Sequence, residues 1–345
     1  MSEKCLLAIE TSCDETSAAV VTFDRQIKSN IVLSQDVIHA PFGGVVPELA
    51  SRQHLKTILP VIEEALRRAK IGLEEIEAFA VTQGPGLIGS LLVGVCFARS
   101  LAYYYHRPLI GVDHLHAHIE SVFLTNPDIP FPSLALIVSG GHTSLFYLPE
   151  RLSYILLGRT RDDAAGEALD KVAKFLNLGY PGGPIIERLA REGNPETFPF
   201  AVPRMKDNSL DFSFSGLKTA ALRYIRENQL QASSPELKDF LASFEKAIVD
   251  SLLFNLSQAL SGYQAESVLL CGGVARNRRL RSSFLRFGEE RGIKVYLPLP
   301  EYCTDNAAMV GALAAEIIRQ KKAFASPLSL EAYARFSAGP ERTES

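Results

Sequence analysis

Two stretches of this chain repeat one order of apolar and polar residues, and that repetition limits the fold more than any single motif. Leu6–Val21 (LLAIETSCDETSAAVV) and Leu134–Leu148 (LALIVSGGHTSLFYL) each read as an apolar strand, a small polar turn, a Thr-Ser pair and a second apolar strand. The pairs are Thr16-Ser17 and Thr143-Ser144. A hairpin with such a turn sets backbone N–H groups in a row. Downstream of each hairpin comes a strand, a Gly-rich turn and a helix, at Ala78–Ala102 and again at Ser267–Phe287. Any α/β protein reuses such units. The same order met twice predicts a duplicated α/β domain. At about 150 residues per domain, 345 residues also make roughly two. The Pro-rich segment TNPDIPFPS (125–133) is the natural linker. The division expected is an N-terminal α/β subdomain over 1–130, a C-terminal α/β subdomain over 131–325 whose last helix packs back, and a tail over 326–345.

Periodicity adds three helices. Pro47–Lys70 carries Leu49, His54, Leu55, Ile58, Leu59, Ile62 and Leu66 on one face, and Pro235–Leu260 carries Leu237, Phe240, Leu241, Phe244, Ile248, Leu252 and Leu256. Ala307–Lys322 is a helix of small residues ending in basic ones. The polar end, Ser337–Ser345, is expected to be disordered.

Composition excludes several classes. A 47% hydrophobic and 22% charged chain is globular rather than disordered. A net charge of −3 excludes a uniformly basic nucleic-acid coat but leaves room for local patches. Three basic clusters could serve: Arg276, Arg278, Arg279, Arg281 and Arg286; Lys218, Arg223 and Arg226; Arg319, Lys321 and Lys322. Each is by itself an ordinary solvated face. Cys5, Cys13, Cys96, Cys271 and Cys303 are scattered, without a Cys-x-x-Cys pair, so neither a disulfide framework nor a thiolate zinc site is signalled. With no signal-peptide pattern and no apolar run of membrane-spanning length, the expected setting is cytoplasmic.

The chemistry-bearing motifs are of three kinds. His114 and His118, in DHLHAH, stand i, i+4 on one helical face, where two imidazoles can share a metal; His116 points elsewhere. The protease pattern H-E-x-x-H needs Glu beside the first His, and Leu115 stands there. Asp305, in CTDN before the last helix, is the best third ligand and can also cap that helix. Two His and a carboxylate suit iron or zinc. The second kind is the glycine loops: Gly84-Pro85-Gly86-Leu87-Ile88-Gly89, Ser139-Gly140-Gly141, Pro181-Gly182-Gly183-Pro184 and Gly272-Gly273. Glycine lets a backbone approach a phosphate, so four such loops over both halves point to a nucleotide in a cleft between them. Neither a P-loop nor a complete dinucleotide fingerprint is present. The third kind is acidic: Glu10, Asp14 and Glu15 in the first turn, and Asp162, Asp163, Glu167 and Asp170 in RDDAAGEALDK. Surface charge explains most acids, but less easily Glu10 and Asp14, which interrupt an apolar segment.

Taken together, AIETSCDET (8–16), FGGVVPELASRQH (42–54), GPGLIGSLLVG (84–94), HLHAH (114–118), VSGGHT (138–143), DDAAGEALDKVAK (162–174), YPGGP (180–184), DFSFSGLKT (211–219), GGVARNRRLR (272–281) and CTDNAAM (303–309) resemble the bacterial tRNA N6-adenosine threonylcarbamoyltransferase (TsaD) family, once described as O-sialoglycoprotein endopeptidases. The resemblance implies a duplicated actin/hexokinase/Hsp70-like (ASKHA) fold, with two α/β subdomains around a nucleotide cleft. It implies an acyltransferase that moves the threonylcarbamoyl group from threonylcarbamoyl-AMP to N6 of adenosine 37 in tRNAs reading codons that begin with A. It implies one divalent metal, iron (Fe2+) or zinc, on His114, His118 and Asp305. The adenylate is expected along Ile137, Val138, Ser139, Gly140 and Gly141, with Asp170, Gly183, Glu187 and Asn277 on its ribose and base. Asp14 or Glu15 would orient the attacking amine or accept its proton. The implied partners are tRNA, a degenerate paralogue (TsaB-like) and a P-loop ATPase (TsaE-like), with no membrane. Two other classes fit the fold: an ATP-dependent kinase and a non-catalytic scaffold subunit.

Overall fold

The computed structural model describes residues 3–320 and 329–335. The elements in chain order are β1 (Cys5–Glu10), β2 (Glu15–Thr22), β3 (Ile27–Ser34), α1 (Asp36–His39), α2 (Pro47–Ala69), β4 (Ile76–Gly84), α3 (Ile88–Tyr104), β5 (Leu109–Asp113), α4 (His114–Thr125), β6 (Ser133–Val138), β7 (Thr143–Leu148), β8 (Ile155–Arg159), α5 (Ala165–Phe175), α6 (Gly182–Ala190), α7 (Ser215–Glu227), α8 (Leu237–Gly262), β9 (Ser267–Cys271), α9 (Arg278–Arg291), β10 (Lys294–Tyr296) and α10 (Ala307–Arg319).

The strands form two five-stranded sheets, ordered β3-β2-β1-β4-β5 and β8-β7-β6-β9-β10. Substituting β6–β10 for β1–β5 turns one order into the other. In each sheet the first three strands are antiparallel and the last two run parallel to the first. This is the duplicated α/β fold that the repeat predicts.

The contacts divide the chain into two compact units: the described residues within 1–35, 45–124 and 305–345, and those within 36–44 and 125–304. In the first unit β1 is buried at every residue because helices cover both faces of the sheet. Among them, α10 lies against β1 and β2. Its small residues permit this approach: a Cβ on Gly311 would stand 2.6 Å from a methyl of Val21. In the second unit α8 supplies the core, with Phe240, Leu241, Phe244, Leu252 and Leu256 fully buried. Gly272, at φ +92°, lets the end of β9 meet β6, where a Cβ would fall 2.4 Å from the Val138 carbonyl oxygen.

Two expectations need correction. Leu55 and Leu59 do not face the core; they are 67% and 51% exposed. The buried stripe of α2 runs through Ala50, His54, Thr57, Ile58, Val61, Ile62 and Ala65, so both leucines sit about a quarter turn round. The last helix ends at Arg319 rather than Lys322. Ser337–Ser345, Lys321 and Lys322 lie outside the described residues. Among the described residues no helix is long and apolar enough to cross a membrane.

Candidate active site

The parallel strands β1, β4 and β5 of the first unit end at the same edge, and the polar residues collect there. β5 runs directly into α4, so His114 is the first residue of that helix and His118 stands one turn later. Their rings pack edge to face, centroids 4.6 Å apart. Asp305 completes the group: one carboxylate oxygen lies 3.6 Å from His114 Nε2 and 3.1 Å from His118 Nε2. One donor atom from each of the three residues falls within 4.8 Å of the others.

Asp305 does not cap α10. The cap is Asn306, whose Oδ1 accepts from Met309 N at 3.1 Å. The neighbour's carboxamide therefore fills the helix end, and the Asp305 carboxylate is left to face the histidines. His116 turns towards Asp113, which accepts its backbone N–H at 3.0 Å.

A cation suits this group on chemical grounds. His118 is fully buried, and among the described residues neither ring nitrogen makes a hydrogen bond. A buried imidazole without a hydrogen bond is costly. Two imidazole nitrogens and a carboxylate oxygen are an iron or zinc donor set. Burial disfavours charge on His114, yet the Asp305 and Glu10 carboxylates outweigh it and hold the ring's pKa up at about 9.

Sequence reasoning placed Glu10 in the turn without a partner; the structure gives it several. It ends β1, fully buried, and accepts from Ser12 N and Thr82 Oγ1, both at 2.5 Å. His114 Nδ1 lies 3.3 Å from Oε2, the oxygen that Thr82 also meets, and Ser12 Oγ is 3.2 Å from the same nitrogen. Nδ1 is thus engaged, and Nε2 is the nitrogen turned to Asp305. Arg25 was missed altogether. Its guanidinium meets Glu120 of α4 at 2.8 Å and Glu316 of α10 at 3.8 Å, both fully buried, and donates to Phe123 O. It ties together the two helices that flank the His-His-Asp group. The signal was weak: Glu120 and Glu316 are lone acids in apolar helices. A further tie comes from the segment 329–335, where Tyr333 Oη donates to Asp113 at 2.6 Å and Tyr333 N to Gln83 O. Asp14 is buried in the β1–β2 turn, and Glu15, half-buried, opens β2. Burial, with the carboxylates of Asp14, Glu15 and Asp305, pushes the Cys13 thiol far up.

In the second unit the β6–β7 turn follows the buried Ile137 and Val138. Ser139 closes it by pairing with His142 through backbone and hydroxyl. Gly140 and Gly141 are exposed residues, and their N–H groups make no hydrogen bond among the described residues. Asp170 of α5 accepts from Gly182 N at 2.8 Å and Gly183 N at 3.3 Å, fixing the start of α6. Glu187 accepts from Arg191 and from Arg278 N. Asn277 caps α9 through Leu280 N at 2.9 Å. A cavity of about 630 Å³ opens here, lined by Glu187, Arg191, Glu245, Arg278, Arg279 and Arg286 among others. So Asp170 with Gly183, and Glu187 with the start of α9, are brought together within this unit. Four members of the basic clusters are engaged within the fold: Arg281 donates to Ala275 O and Pro298 O, Arg279 pairs with Glu245, Lys218 with Asp163, and Arg319 with Glu316.

Comparison with known proteins agrees on one family. The family model described as tRNA N6-adenosine threonylcarbamoyltransferase matches residues 26–312. A protein of that name from Moorella thermoacetica is 50% identical over 331 residues, 96% of each chain. Another from Geotalea uraniireducens is 52% identical over 305 residues, 88% of this chain and 89% of its own. Among solved structures, HypF of T. kodakarensis superposes with a TM-score of 0.61 at 15% identity, over 92% of this chain and 48% of that one. Component A of the Acidaminococcus fermentans (R)-2-hydroxyglutaryl-CoA dehydratase gives 0.53 at 13% identity, over 91% and 98%. At such identities the last two speak for the fold alone.

Proposed function

Because the chain belongs to the tRNA N6-adenosine threonylcarbamoyltransferase family, we propose that it takes the threonylcarbamoyl group from threonylcarbamoyl-AMP and places it on N6 of adenosine 37, the adenosine 3′ of the anticodon, in tRNAs reading codons that begin with A. The N–H groups of the exposed residues Gly140 and Gly141 hold the phosphate of the adenylate and stabilise it as it leaves. Asp170, Gly183, Glu187 and Asn277 hold its ribose and base. The adenosine amine attacks the carbamoyl carbon; a new N–C bond forms, and the bond from that carbon to the phosphate oxygen breaks. AMP departs with the electron pair. The proton released by the amine passes to the carboxylate of Asp14 or Glu15. His114, His118 and Asp305 hold one divalent ion, iron or zinc, which supplies Lewis-acid polarisation of substrate oxygens when bound. A degenerate paralogue (TsaB-like) and a P-loop ATPase (TsaE-like) assist in the cytoplasm, and no membrane takes part.

The observation that carries this reading is the convergence of two imidazoles and one carboxylate within 4.8 Å, with a buried His118 that makes no hydrogen bond of its own among the described residues. The test is mass spectrometry of tRNA nucleosides after incubation with threonylcarbamoyl-AMP and the partner proteins. The modified adenosine is expected with the natural chain and is expected to vanish with His114→Ala, while circular dichroism and the melting midpoint show a folded protein. Modification at the normal rate by that variant would exclude the metal role. Acceptor-dependent release of ADP from ATP, without modified adenosine, would make the protein a kinase.

A further inference from the structure

One buried acid has no part in the chemistry above, yet it touches the residue assigned to the nucleoside. Glu245 sits midway along α8, only 4% exposed, on a stretch otherwise given to Leu241, Phe244, Ile248 and Val249. Its two carboxylate oxygens are used separately. One accepts from Asn277 Nδ2 at 2.6 Å, the other from Arg279 Nε at 2.8 Å. Burial pushes its carboxyl above the ordinary value, and the two donors work against that.

Asn277 is constrained from both ends. Its Oδ1 is taken by Leu280 N, as the cap of α9. One of its two Nδ2 hydrogens goes to Glu245. A carboxamide has two donor hydrogens and one acceptor oxygen, so a single N–H is left for a ligand. The rotamer that offers it is fixed by two partners, as a pre-organised contact requires. Arg279 is held by Glu245 through Nε, and Glu245 and Arg279 both line the cavity of about 630 Å³.

We propose that Glu245 is the positioning residue of the nucleoside pocket: its buried carboxylate sets the Asn277 carboxamide and the Arg279 guanidinium in the orientations that receive the adenosine part of the adenylate. This rests on the reading of Asn277 as an adenosine contact. It also explains why the group is an acid. Glutamine has one acceptor oxygen, so Glu245→Gln must turn its amide hydrogens on one of the two donors.

The experiment is AMP binding by titration calorimetry to the full-length protein, in the natural chain, Glu245→Gln, Asn277→Ser and the double variant. Serine keeps a helix cap and removes the carboxamide. Glu245→Asp, which keeps the charge and withdraws the carboxylate by one methylene, serves as a second variant should glutamine unfold the protein. Glu245→Gln is expected to weaken AMP about tenfold, with the metal content at His114, His118 and Asp305 unchanged. In turnover its KM for the adenylate rises more than its kcat falls. The double variant is expected to bind no more weakly than Asn277→Ser alone, because both changes remove one contact. If Asn277→Ser weakens AMP and neither Glu245 variant does, Glu245 is merely structural and the proposal fails. If Asn277→Ser also binds AMP normally, the assignment of Asn277 fails with it. Additive losses in the double variant would overturn the route through Asn277.

Discussion

At the end of β1 stands Glu10, and at the end of β6, the strand with the same neighbours in the other sheet, stands Val138. Both are fully buried. In the first unit the acid anchors Ser12, Thr82 and His114, and a polar centre of side chains grows around it. In the second unit the strand end stays apolar, and the turn beyond it offers the backbone N–H groups of Gly140 and Gly141. The helices differ in the same sense. A single long helix, α2, connects the hairpin region to the next parallel strand in the first unit; α5 to α8 do so in the second. One strand order thus carries two kinds of site. The first is built around a cluster of buried charges that must be matched; the second presents an exposed turn and helix starts, with the single buried acid Glu245 behind one of them.

That contrast can be broken by mutation. The largest stability effect is expected from Arg25→Met, which leaves Glu120 and Glu316 buried without their shared cation. Unpairing a buried charge costs about 3–5 kcal/mol. Chemical denaturation should show that loss, and hydrogen exchange should place it in the first unit, with the α8 amides protected as before. Equal loss of protection in both units would erase the distinction. Next is Glu10→Gln, which removes the anion behind His114 and keeps the fold. Metal affinity, read by competition with a chromophoric chelator, is expected to fall about 10–100-fold. Unchanged affinity would mean that Glu10 serves only Ser12 and Thr82. The smallest effect belongs to the second unit. Asp162 accepts from Ser213, Ser215 and Phe214 N at the start of α7. Burial raises its pKa, but these donors overcome that and leave it below the usual aspartate value. Since the folded value is the lower one, its contribution is present above about pH 4 and fades as pH falls through the folded pKa. Asp162 is exposed, so Asp162→Asn should cost less than about 1 kcal/mol at neutral pH and progressively less as pH falls through the folded pKa, followed by denaturant titration across that range.

The strand pattern was legible because buried strands and polar turns alternate over short distances. Leu6–Val21 and Leu134–Leu148 both form the hairpins they suggest. The His114–His118 pair was legible because helical spacing alone brings i and i+4 together. Asp305 was found as a partner but given the wrong second role. Asp and Asn both cap helices well, and which of two neighbours does so depends on where the backbone leaves the helical path. Leu55 and Leu59 misled because they lie beside the buried stripe. Arg25 and Glu245 escaped because their partners lie far along the chain: Glu120 and Glu316 for one, Asn277 and Arg279 for the other. No local pattern announces such pairs, although a lone acid in an apolar helix such as FLASFEKAIV is a hint worth following.

The order of the residues has a consequence for how the protein is made. The two histidines leave the ribosome with the first unit, but every residue from 125 to 304 belongs to the second. Asp305 and Glu316 emerge only after that, and Tyr333 later still. For most of synthesis, then, the nascent chain carries an imidazole pair that lacks its carboxylate and a Glu120–Arg25 pair that lacks its second acid. The full donor set arises only when the last strand of the other sheet has already been translated. The third donor beside the two imidazoles therefore becomes available only in the final stage of translation.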